Sequence, residues 1–139
     1  LAIAAGIGVR ALFMPRPRRT LAQRLAELPR TAPLAAPITI HVNANHIPYI
    51  EAQSQSDLAV GVGIVHAHLR LTQMELLRHA SQGRLSELVG PLGIEMDRAL
   101  RLLDIGRAVP AIIEGLAPAT REWAEGFVRG VNHVLTTMP

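Results

Sequence analysis

Cysteine is absent from this 139-residue chain, which excludes disulfides and thiolate sites and is compatible with any compartment. Lysine is absent as well. All 14 basic residues are arginine, a bias that reflects genomic base composition more than chemistry. Aromatic residues make up only 3% of a chain that is 49% hydrophobic, which disfavours a β-sandwich and favours helices packed with Leu, Ile, Val and Ala. Acids are scarce at the start: residues 1–37 carry six Arg against the single acid Glu27, a balance of +5. Residues 38–139 carry eight Arg and ten acids, a balance of −2, and the two sum to the overall +3. The body is slightly acidic despite a pI of about 10.9, which argues against a nucleic-acid surface. Internal repeats are absent, and so is low complexity beyond the N-terminal arginines.

What is present begins with an apolar run, residues 1–14, broken once by Arg10. It is shorter than the roughly 20 residues of a membrane span. The cluster Pro15 to Arg19 follows at once, so residues 1–19 read as a truncated signal peptide or membrane anchor with a basic flank. The start at Leu1 and the stop at Pro139 in mid-pattern predict a piece of a longer polypeptide. Residues 20–37 hold a short amphipathic stretch (Leu21, Leu25, Leu28) and then the stiff connector of Pro29, Pro33 and Pro37.

The folded domain is expected over residues 38–139. Ile38, Ile40 and Val42 alternate with Thr39 and His41, and a second extended run covers Ile47 to Ala52. The turn-rich Asn43 to His46 joins them into a predicted β-hairpin, with Asn45 expected to take the left-handed backbone. Ser54 or Ser56 caps a predicted helix over Asp57 to Ser81, with Leu58, Val62, Val65, Leu69, Thr72 and Leu76 as its apolar stripe. Gly61 and Gly63 cost that helix about 1 kcal/mol each, which points to close approach of another backbone. Gly83 is the expected left-handed cap, and Arg84 to Val89 a helical turn closed by Gly90-Pro91. Glu95 to Leu116 is helical with a break at Gly106 and Pro110, and Asp97 can pair with Arg101 four residues on. Pro118 starts a last helix whose apolar face is Trp123, Phe127, Val131 and Val134 or Leu135.

Candidate chemistry is thin. His66 and His68 point to different faces, and His41 and His46 lack a third ligand, so no metal site is expected. No serine lies in a G-x-S-x-G elbow. His66, Arg70 and Gln73 share one helix face, Glu75 pairs with Arg78, and Arg84 with Glu87. Two readings fit these charges: a solvated face whose pairs contribute about 0.3–0.5 kcal/mol each, or partly buried ties to a larger domain.

The longest periodic run, Gly63 to Gly90, reads GIVHAHLRLTQMELLRHASQGRLSELVG. Its residues Gly63, Val65, His66, Ala67, Arg70, Leu71, Gln73, Met74, Glu75, Leu76, Arg78, Gly83, Arg84, Leu85, Ser86, Glu87, Leu88 and Gly90 fit a signature of roughly G-Y-V-H-A-Q-D-R-L-W-Q-M-E-L-x-R-R-x-x-x-G-R-L-S-E-L-x-G. The chain thereby resembles the penicillin acylase family of N-terminal-nucleophile hydrolases. The likeness runs from about Ile38 to Asn132, including Trp123 to Gly126 and Gly130 to Asn132. It departs at Leu69, where the motif has Asp, at Thr72, where it has an aromatic, and at Asn43 and His46, where it has Asp and Gly.

The resemblance implies an α+β fold: the N-terminal fragment of an αββα sandwich, here a β-hairpin followed by mostly helices. It implies the first part of the α chain of an autoproteolytic precursor (a zymogen), periplasmic or anchored in the membrane facing the periplasm. The nucleophile would be the N-terminal Ser of a β chain, so no catalytic residue is expected here. Calcium would enter only through a carboxylate of the complete enzyme. The partners would be the remainder of the α chain, the β chain and a small acyl amide: a β-lactam side chain, an acyl-homoserine lactone or similar. It also favours a structural role for His66, Arg70, Gln73, Glu75, Arg84 and Glu87, with Arg70, Glu75, Arg84 and Glu87 partly buried. The alternative is a non-catalytic homologue acting as a membrane-associated binding or scaffold module.

Overall fold

The computed structural model describes residues 31–137, together with Gln23 and Ala26. The apolar and basic segment at residues 1–19 and the leucines of the amphipathic stretch after it, Leu21, Leu25 and Leu28, lie outside the described residues.

Strands β1 (Thr39–Val42) and β2 (Pro48–Glu51) form an antiparallel hairpin with Ile40 opposite Ile50 and His41 opposite Tyr49. Period-2 alternation turns Ile40, Val42, Pro48 and Ile50 inward and leaves Thr39, His41, Tyr49 and Glu51 in solvent. The turn is built by Asn43, whose Oδ1 accepts from the Asn45 amide at 3.0 Å and the Ile47 amide at 2.9 Å. The left-handed residue is His46, with φ 60°, rather than the expected Asn45. The reason is local: closing Asn43 N to Ile47 O at 3.1 Å puts the reversal at the fourth turn position. A non-glycine residue in this region costs about 1 kcal/mol, so His46→Gly is expected to raise the melting temperature by a few degrees in thermal denaturation.

Helix α1 (Gln55–Ser81) follows the hairpin directly. Ser54 caps it, its Oγ accepting from the Asp57 amide at 3.0 Å. The helix is bent at Arg70, whose φ of −133° and ψ of 15° leave the helical region. Gly83, with φ 61°, ends it: the Gly83 amide bonds Ala80 O and the Arg84 amide bonds His79 O. Short α2 (Ser86–Val89), a 3₁₀ turn (Gly90–Gly93) and α3 (Ile94–Leu103) then fold back beside the end of α1. Asp104 at φ 46° breaks α3, earlier than Gly106, and α4 (Val109–Glu114) carries Pro110 in its first turn. Helix α5 (Pro118–Thr137) returns across the first half of α1.

The α1–α5 crossing is the core, and small residues make it. A Cβ placed on Gly63 would sit 2.1 Å from Phe127 O, and one on Gly130 would sit 2.1 Å from Val60 O. Gly126 lies beneath Ala59 in the same way, 2.9 Å from its Cβ. Val60, Ile64, Ala67 and Val134 fill the crossing, with Ala32, Leu34 and Val131 at its edge. Gly61 faces the hairpin instead, against Ile38 and Ile50. The expected stripe of α1 is thereby corrected: Val65 is buried, but Thr72 and Leu76 are exposed. The expected face of α5 holds at Val134, which is buried, and at Phe127 and Val131, which are half-buried; Trp123 and Leu135 are about 40% exposed, and Gly126 and Gly130 join the face. In both helices, backbone-to-backbone packing selects the face with the smallest side chains. Beyond Arg70 the chain is open, and Leu92, Leu102, Leu103, Ile112 and Ile113 stand in solvent.

Candidate functional site

The motif Gly63–Gly90 is divided by the bend at Arg70 into a packed half and an open half, each with its own chemistry. In the open half, charged groups knit the end of α1 to α2 and α3. Arg78 Nη2 lies 2.8 Å from Glu75 Oε2 and its Nε donates to the same carboxylate at 3.1 and 3.2 Å. Arg84 grips Glu87 through Nε and Nη2, both at 2.7 Å. His79 is buried between these pairs. Its Nδ1 is 2.9 Å from Glu75 O, and its ring nitrogens lie 3.6 Å from the Glu75 carboxylate and 3.7 Å from that of Glu87. It stands at the second arginine of the R-R pair in the motif, the signal by which its place in the joint could have been found.

Asp97 fastens α3 to the joint. Its carboxylate is buried and accepts from the Leu85 amide at 2.6 Å, the Ser86 amide at 2.8 Å and the Ser86 hydroxyl at 2.5 Å. Arg101 Nε donates to Gly83 O at 2.7 Å. Asp97 and Arg101 therefore both bond the Gly83–Ser86 loop, whose backbone groups would otherwise be orphaned, and they pair with each other only through charge. Burial pushes the Asp97 carboxyl up, but the Ser86 hydroxyl, the two amides and the Arg101 charge outweigh it and leave the group below its ordinary 3.8. The hydrogen bond from Arg78 holds Glu75 low, and that from Arg84 holds Glu87 low.

At the other end of α1, Asp57 accepts from the amides of Ala35 (2.8 Å) and Ala36 (3.2 Å) and from Ser54 Oγ (2.9 Å). The Ala35 amide, then the Ser54 hydroxyl, hold its carboxyl below 3.8 against the cost of burial. The strap at residues 32–36 is thereby tied to the N-terminus of α1. Since Asp57 and Asp97 are both depressed, their stabilisation is complete above the ordinary carboxylate range and disappears as pH falls through the lower folded values. Acid titration of folding in the complete polypeptide is expected to show a loss of stability beginning below about pH 4.

The remaining motif residues cluster at the bend. His66, Arg70 and Gln73 line one groove of about 500 Å³ with Met74 and Leu77, so the face-sharing read from spacing is realised in space. His66 also meets Phe127 edge-on at 5.6 Å, and Phe127 stacks on Trp123 at 6.1 Å. Glu75 and Arg84 are half-buried, and Arg70 and Glu87 are exposed among the described residues. The cause is that nothing among the described residues lies over the open half of α1. No group of three or more His, Asp or Glu that could hold a metal exists among the described residues. Ser54, the cap of α1, donates its hydroxyl to Asp57, and Ser86 donates its own to Asp97. The arrangement ties helices together.

This hairpin-then-helices arrangement, an α+β fold, is shared with a solved structure. It aligns with the thermostable penicillin G acylase of Alcaligenes faecalis at a TM-score of 0.64 and 23% identity, over 72% of this chain and 53% of that one. The family follows from sequence: residues 37–139 match the penicillin amidase model, and the chain belongs to that family. It is 38% identical over 102 residues to the acyl-homoserine lactone acylase QuiP of Pseudomonas aeruginosa, spanning 73% of this chain and 12% of that protein. It is 33% identical over 104 residues to the penicillin acylase 2 proenzyme of Pseudomonas sp. strain SE83, spanning 75% and 13%. Penicillin G acylase of Escherichia coli is 33% identical over 86 residues. The chain thus spans about one eighth of the length of the first two relatives.

Proposed function

We propose that these residues form the opening part of the α chain of an amide hydrolase that removes an acyl group from a small amide. The carrying observation is the 38% identity to an acyl-homoserine lactone acylase across 102 residues, together with the relative named as a penicillin acylase proenzyme. The role proposed for this part is architectural. The motif charges of the open half close a joint, Ser54 caps α1, and the Ser86 hydroxyl binds Asp97. The nucleophile is the N-terminal Ser, Thr or Cys of a β chain released by self-cleavage, with the freed α-amino group as its base through water. The β chain and the rest of the α chain complete a four-layer αββα sandwich over the faces left open here. The substrate belongs to the acyl-homoserine lactones, β-lactam side-chain amides or similar compounds. Calcium, where bound, is held by the complete enzyme. Residues 1–19 direct the protein to the periplasm or anchor it facing that side. No helix among the described residues is long and apolar enough to cross a membrane.

Residues 1–139 alone are expected to hydrolyse neither a phenylacetyl amide nor an acyl-homoserine lactone, and to show no cooperative thermal transition, while the complete reading frame does both. Amide hydrolysis by residues 1–139 would overturn the proposal. The second reading, a non-catalytic scaffold, is favoured by Leu69 and Thr72. The hairpin turn does not favour it, since Asn43 makes the two amide contacts that an Asp there would make. A complete gene without a Gly-Ser or similar cleavage junction would support the scaffold.

A further inference from the structure

Arg70 is the odd cation of the motif. Arg78 and Arg84 each hold a carboxylate of their own helix turn through two or more contacts. Arg70 is exposed, with no hydrogen-bonding or ionic partner among the described residues. The positions within helical reach of it are His66, Ala67, Gln73 and Met74, none of them an acid. Its nearest acid along the helix, Glu75, is already taken by Arg78. Arg70 also sits at the non-helical bend of α1, and two open grooves flank it: one with His66, Gln73, Met74 and Leu77, the other with Leu69, Leu71, Thr72 and Leu76.

An uncompensated guanidinium between two partly apolar grooves is a binding surface with its own polarity. We propose that Arg70 and the flanking grooves receive a carboxylate-bearing segment from elsewhere in the same hydrolase, its apolar neighbours lying against Leu76 and Leu77. The occupant follows from charge complementarity and from scale. The local helix supplies no acid, and the matched relatives are about eight times as long as this chain's match to them. Planar bidentate pairing is what arginine offers and lysine does not. This inference rests on the reading of the chain as part of a larger amide hydrolase.

The test uses the complete reading frame. Phenylglyoxal labelling of the native protein, read by peptide mass, is expected to modify Arg98 freely and Arg70 at least about tenfold more slowly, with equal rates after unfolding. Arg70→Glu is expected to lower the yield of soluble processed protein at least about tenfold, and Arg70→Lys to keep part of it. Arg98→Glu, at an exposed pair one turn from its partner, is expected to change nothing. Rapid native labelling of Arg70 overturns the proposal, and rapid labelling that slows only on adding a carboxylate small molecule would assign the groove to a free ligand. A wild-type protein that neither self-cleaves nor hydrolyses amides defeats the functional reading itself. Normal processing with an unprotected Arg70 defeats only this inference.

Discussion

Gly63→Ala and Gly130→Ala, placed separately in the complete polypeptide, are each expected to abolish or sharply reduce soluble folded protein. The added methyl would stand 2.1 Å from a carbonyl oxygen of the opposite helix, Phe127 O in one case and Val60 O in the other. Backbone cannot give way as a flexible side chain can, so α1 and α5 must separate. Separation uncovers Val60, Ile64 and Val134, the centre of the core. Overpacking of this kind costs about 3 kcal/mol or more, a large part of the stability of a domain. The control is Gly106→Ala, where nothing lies within 4 Å of the new methyl and the effect is expected to stay within about 1 kcal/mol. Urea denaturation of the three variants checks the ordering. Equal stability of Gly63→Ala and Gly106→Ala would show that the helices do not cross here.

Asp97→Ala is expected to have the next largest effect. It removes one acceptor group and leaves three donors, Leu85 N, Ser86 N and Ser86 Oγ, without it. Unmet buried donors cost more than the hydrogen bonds contributed. The loss should be local: the joint between α1, α2 and α3 opens while the α1–α5 crossing survives. Hydrogen exchange is the measurement, with the Leu85 and Ser86 amides expected to exchange roughly tenfold or more faster and the amides near Val60 unchanged. Asp97→Asn should recover little, because its NH₂ group would face a donor. Ser86→Ala should do less harm, since two of the three bonds remain.

What was legible in the sequence was local. The hairpin, the Ser54 cap, the Gly83 cap and the Glu75–Arg78 and Arg84–Glu87 pairs each involve residues a few positions apart, where spacing dictates geometry. The core faces were legible in part: Gly63 signalled a close backbone approach, and Val65 and Val134 are buried, but Thr72, Leu76 and Trp123, large enough for a core, are exposed. The crossing is instead marked by small residues at four-residue intervals, Ala59, Gly63 and Ala67 against Gly126 and Gly130, a spacing that permits close helix approach. Asp97 lies 11 and 12 residues from the amides it binds, and no periodicity reports such a contact. The bend at Arg70 has neither proline nor glycine beside it, so propensity carried no sign of it.

The joint and the bend give the resemblance a physical meaning. Motif residues Glu75, Arg78, Gly83, Arg84, Ser86 and Glu87 hold helices in place, and on the function proposed above the chemistry belongs to other parts of the polypeptide. Intact-mass analysis of the purified product of the complete reading frame tests this most directly. The account predicts two chains: one containing residues 38–139, the other beginning with Ser, Thr or Cys. A single uncleaved chain that nevertheless hydrolyses the amide, or an inert uncleaved chain, would contradict it.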